Sequence, residues 1–66
     1  MTLAEAKRIV KSEYPDAFGW KEFATSDYVV KSSPGGKVLA RAPSATHAWV
    51  EAAAGVESAT VRGGSQ

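Results

Sequence analysis

The residues of this chain with chemistry to offer begin with its single histidine, His47, which follows the hydroxyl residues Ser44 and Thr46. An imidazole there can act as a base or a ligand. Ser44, His47 and Asp27 assemble into a triad on paper, yet nothing resembling a nucleophile elbow surrounds Ser44, which is better employed as a helix cap. No carboxylate or thiol stands at a spacing that would orient the ring or complete a metal shell. Pro34-Gly35-Gly36-Lys37 looks like a phosphate-cradling loop only superficially. It is shorter than a P-loop, and it leads into a strand where a P-loop opens a helix. Asp16, Glu22, Asp27, Glu51 and Glu57 are scattered, without the pairing that general acid–base work or calcium requires. The expectation is a chain with no catalytic residue, no metal and no cofactor.

The basic residues form the one chemical pattern with a shape. Lys31, Lys37 and Arg41 fall on neighbouring strands, and Lys7, Arg8 and Lys11 line the polar side of a first helix. Such patches bind phosphate backbones through counterion release. Equally, lysine on a short edge strand guards against aggregation, and cations on a helix face are ordinary solvation. The net charge of +1 is far from the balance of a dedicated nucleic-acid binder. The solvating reading is preferred.

The elements that position these groups are legible from spacing. Thr2-Leu3-Ala4-Glu5 reads as a capping box, and Leu3, Ala6, Ile9, Val10 and Tyr14 form an apolar stripe that Pro15 ends, which predicts a helix over 3–13. From Asp16 to Ala42 the pattern turns aromatic and β-branched, predicting strands over 18–24, 28–32 and 37–42. Gly19 marks a bulge or a loop in the first of these. Pro34-Gly35-Gly36 between the second and third supplies the fixed φ and the positive-φ positions of a tight hairpin. Ala45, Ala48, Trp49, Ala52, Ala53 and Val56 share one stripe of a second helix, capped by Ser44 and closed by Gly55. Its lone large residue, Trp49, is the expected keystone, because small neighbours let the helix approach a sheet closely.

Val29 and Val30 point to opposite faces, as do Val38 and Leu39, and as do Trp20 and Phe23 if their strand is regular. Both faces of the sheet are therefore expected to carry apolar groups. The helices cover one, and the other meets the C-terminal segment or a second molecule, with self-association preferred. The segment 56–62 has the character of a short edge strand, and Gly63-Gly64-Ser65-Gln66 that of a flexible tail.

Sixty-six residues bound the answer to one domain, near the lower limit for folding without staples. The absence of cysteine removes disulfides, thiolate zinc sites and redox thiols, and fits a cytoplasmic protein. No apolar run is long enough for a membrane span, and Met1-Thr2-Leu3-Ala4-Glu5 lacks the marks of a signal peptide.

The order helix, three strands, alanine-rich helix is similar to the double-stranded RNA-binding domain. That family places lysines at the start of its second helix to clamp phosphates, and a loop after its first strand reaches the minor groove. The matching positions here are Ala45, Thr46 and His47, with no lysine, and the short Thr25-Ser26-Asp27. In two stretches the chain resembles small uncharacterised phage and prophage proteins. One is the junction Tyr14-Pro15-Asp16-Ala17. The other is an ending of the form Leu-Gly-x-Gly-x-Thr-x-x-x-Ala-Trp-x-x-Ala-Ala. It reads here Leu39-Ala40-Arg41-Ala42-Pro43-Ser44-Ala45-Thr46-His47-Ala48-Trp49-Val50-Glu51-Ala52-Ala53, with alanine at both glycine positions and serine at the cap. The resemblance implies an accessory protein of a mobile element.

The expected fold is α+β, αβββα, an antiparallel three-stranded sheet with two helices packed on one face, over residues 1–56, followed by a tail over 57–66. The expected function is a non-catalytic protein-interaction or regulatory module, with an unidentified protein or a second copy meeting a surface of Phe23, Val29 and Leu39. The alternative is a nucleic-acid-binding module using Lys7, Arg8, Lys11, Lys31, Lys37 and Arg41.

Overall fold

The computed structural model describes residues 1–64, with side chains described through residue 58. Helix α1 spans Leu3–Glu13, strands β1, β2 and β3 span Phe18–Lys21, Tyr28–Lys31 and Val38–Ala42, and helix α2 spans Ala45–Gly64. The strands make one open antiparallel sheet in the order β1-β2-β3, so the architecture is α+β with αβββα order.

Both helices start where their caps dictate. The Thr2 hydroxyl accepts from the Glu5 amide at 3.1 Å, and the Glu5 carboxylate accepts from the Thr2 amide at 3.3 Å, which satisfies two donors that a helix start leaves orphaned. The Ser44 carbonyl takes the first bond of α2, from Ala48 at 3.0 Å, and its hydroxyl accepts from the His47 amide at 3.2 Å. Ser44 is therefore the N-cap.

Trp49 is 2% exposed and sits in a core with Ala6 and Val10 of α1, Ala48, Ala52 and Ala53 of α2, and Val30 and Ala42 of the sheet. The alanines set the geometry. With no bulk at 48, 52 and 53 facing Ala40 and Ala42, α2 approaches β3 and β2 closely, while α1 packs against α2 on the same side of the sheet.

Six local expectations are corrected. The second helix does not stop at Gly55, and no edge strand forms over 56–62; α2 continues through both to Gly64. A glycine inside a helix costs about 1 kcal/mol relative to alanine, a cost small enough for the helix established over Ala52-Ala53-Ala54 to continue through it. Ser65 and Gln66 of the expected tail lie outside the described residues. No described glycine has a positive φ; the residue that does is Ser26, at 62°. Gly36 is needed for room instead, because a Cβ there would meet the Ser32 and Ser33 hydroxyls.

Gly19 is not the bulge. A Cβ at Gly19 would lie 2.5 Å from the Tyr28 ring, so the missing side chain is what lets Tyr28 lie across β1. The bulge is in β3. Val30 pairs with Ala40 but Lys31 pairs with Val38, which leaves Leu39 as the extra residue. Leu39 thereby joins Ala40 against the core on the helix side, and the expectation that it lies on the uncovered face is corrected. Phe23, expected on the first strand, lies beyond its end. The strand stops at Lys21 because Glu22 opens a turn, in which Ser26 donates to the Glu22 carbonyl at 2.9 Å and Glu22 donates to the Asp27 carbonyl at 2.7 Å.

Candidate functional site

The sheet face turned away from the helices is built in two rows. Phe18, Lys31 and Val38 lie side by side across the three strands, and so do Trp20, Val29 and Arg41. Phe18 and Trp20 are two residues apart on one strand, so they share this face, and their rings stack with centroids 5.3 Å apart at 18°. The Lys31 ammonium lies 5.8 Å from the Trp20 ring centroid, which places a cation against the indole.

Arg41 reaches back over β2 to Glu22 at the end of β1. One guanidinium nitrogen lies 2.8 Å from Glu22 Oε1 and the other 3.4 Å from Oε2, a bidentate pair to which Thr25 adds a hydroxyl bond at 2.8 Å. The bond from Arg41, then the bond from Thr25, hold the Glu22 carboxyl below its ordinary value, and Glu22 in turn raises Arg41. With these groups around it, Val29 is only 1% exposed although no helix covers this face. Val29 is thus on the expected face but is not available to a partner. What the face does expose is Trp20 at 36% and Val38 at 49%, with Phe23 wholly exposed in the turn beside it.

The six candidate phosphate contacts do not form one patch. Lys7 packs over the Trp49 ring, its ammonium 5.7 Å from the centroid, and Lys37 lies 5.9 Å from the Tyr14 ring. Both cover apolar surface with their stems. Arg8 and Lys11 stand exposed on α1, on the opposite side of the molecule from Lys31 and Arg41. Arg41 is matched by Glu22. A duplex meeting the helix side would not reach the sheet cations, and one meeting the sheet would find Lys31 and a neutralised Arg41.

Ser44 and His47 do meet, with Oγ 2.9 Å from Nδ1, but the hydroxyl is also accepting the capping bond from the His47 amide. Among the described residues no hydrogen bond or ion pair joins Asp27 to either of them; the Asp27 amide donates to Thr25. No group of three or more histidine, cysteine or carboxylate side chains that could hold a metal occurs among the described residues. A cleft of about 280 Å³ opens between the end of α1, the start of β3 and the middle of α2, lined by Tyr14, Lys37, Leu39, Ala52 and Gly55. A second hollow, of about 260 Å³, lies at the end of β1 between Lys21, Phe23 and Ser26. The Glu13 carboxyl also borders the first. Among the described residues no helix is long and apolar enough to cross a membrane.

No protein-family model, curated protein or solved structure matches this chain. Its functional reading therefore rests on its own surface. Sequence reasoning found Phe23 but passed over Phe18 and the exposed Trp20 as a pair. The signal was present as Phe18-Gly19-Trp20, two aromatics at the two-residue spacing that puts them on one face.

Proposed function

We propose that this chain is a non-catalytic protein-interaction module whose contact surface is the outer sheet face and the adjoining β1 end: Phe18, Trp20, Val38 and Phe23. The observation that carries the reading is the exposure of Phe23 and Trp20 at one end of a chain this small. A large aromatic held wholly in water gains nothing for the isolated fold, and aromatic anchors are what protein interfaces concentrate. Phe18 stacks on Trp20 and the Lys31 ammonium lies against the same indole, while the dispersal of the cations gives a phosphate backbone no continuous track. The resemblance to small phage and prophage proteins adds the setting: an accessory protein of a mobile element, working in the cytoplasm through surface contact.

Selection of a random peptide library on the wild-type chain, with counter-selection on Trp20→Ser and Phe23→Ser variants, tests this. Binders that lose the variants support it. Binders that ignore both substitutions, or steep, salt-sensitive binding of duplex RNA or DNA in a parallel titration, would overturn it.

A further inference from the structure

We propose that the partner at this surface is a second copy of the chain, joined edge to edge through β1 about a two-fold axis at Trp20. The inference rests on the interaction-surface reading above and adds the identity of the partner and the register.

The argument starts from which backbone groups are free. The Glu22 amide bonds to the Asp27 carbonyl, and hydrogen-bonded pairs alternate along an antiparallel ladder, so Trp20 with Val29 and Phe18 with Lys31 are the bonded pairs of β1 and β2. Phe18, Trp20 and Glu22 therefore direct their amides and carbonyls into the sheet. Gly19 and Lys21 direct theirs outward, to an edge that no described element covers.

Two such edges fit each other in one register. When Trp20 stands opposite Trp20 of the second copy, Gly19 faces Lys21 of that copy and Lys21 faces its Gly19. Both are then hydrogen-bonded pairs, and all four outward groups of each strand are used in four bonds. The two indoles meet as a non-bonded pair, where side chains approach most closely, and extend the Phe18–Trp20 stack into a stripe of four rings across a six-stranded sheet. Phe23, wholly exposed in the turn that follows β1, stands at the end of this same edge.

The other edge explains why pairing stops there. β3 carries the bulge at Leu39, which breaks the regular ladder another strand would need, whereas β1 has no bulge, no proline and no covering element. Pairing through β1 alone closes as a dimer and cannot propagate as a fibre.

Sedimentation equilibrium of the full chain from micromolar to millimolar concentration tests this, with three variants checked for native circular dichroism. Lys21→Pro removes an amide that β2 does not use and eliminates two of the four bonds, so it is expected to weaken the dimer roughly 30-fold while the fold persists. Trp20→Glu and Trp20→Lys each place like charges directly opposite across the axis and are expected to be monomers alone, but to form a heterodimer when mixed. A wild-type chain that stays monomeric to millimolar concentration, a dimer indifferent to Lys21→Pro, or variants that do not recover one another on mixing would each overturn the proposal. A monomer that still selects peptides sensitive to Trp20→Ser would sink the dimer and leave the interaction-surface reading standing; a monomer that selects none would sink both.

Discussion

Gly19 and Tyr28 form one unit of packing on the inner face of β1, and the ring occupies the volume a side chain would need. Gly19→Ala is expected to destabilise the fold by about 1–3 kcal/mol in urea unfolding, because a core-side ring must move to admit the methyl. Pairing it with Tyr28→Ala should recover part of that loss, since the second change removes the atoms in conflict. Charge at the outer face gives a second residue-scale expectation. Glu22, bonded by Arg41, and Glu5, bonded by the Thr2 amide, both titrate below the ordinary glutamate value of 4.5 in the folded chain. A carboxyl with a lowered folded value stabilises above its unfolded value and loses that contribution as pH falls through the folded one. The urea midpoint should therefore decline as pH drops below about 5, and the decline should be shallower in Glu22→Gln. Equal slopes in the two chains would show that the Arg41 pair contributes nothing measurable, as exposed ion pairs often do.

At the scale of elements, α2 carries an interior glycine that its own fold does not require. A Cβ at Gly55 would meet nothing within 4 Å, and its φ is not positive. Gly55→Ala is expected to raise stability by about 0.5–1 kcal/mol, the propensity difference alone, seen as a melting temperature higher by a few degrees. A loss of stability would mean that the helix bends or ends there after all. The contrast between the two edge strands is also decided at this scale. The slip that makes Leu39 an extra residue turns it to the core, thickens the contact under α2, and spoils β3 as a template.

For the molecule as a whole, one indole carries much of the core. The other buried side chains are valines and alanines, and a chain of 66 residues has a net stability of about 3–10 kcal/mol. Trp49→Ala should cost about 3–5 kcal/mol, so the variant is expected to show lost or broadened near-ultraviolet dichroism at 37 °C and no cooperative thermal transition. Retention of a sharp transition would mean that the alanine stripe alone holds α2 to the sheet. The distribution of charge belongs to this scale as well. Six cations that look like one pattern along the chain are divided between the two sides of a thin molecule, and three of them lie over aromatic rings.

The local code of this chain is strong where one residue answers to its neighbours in sequence. Thr2 and Glu5 fix the start of α1, Pro15 its end, Ser44 the start of α2, and Pro34-Gly35-Gly36 between two β-branched runs the hairpin, because caps, proline sterics and turn residues act over a few positions. Trp49 in the core follows in the same way from the helical spacing around it. What distance along the chain conceals, the folded sheet decided. Leu39 faces inward because β2 and β3 slip by one residue against each other, Val29 is covered because Arg41 crosses β2 to reach Glu22, and Gly19 is glycine because Tyr28, nine positions later, lies over it. Each depends on side chains that only strand pairing brings together, and that pairing also separates the cations and leaves Trp20 and Phe23 at a free edge.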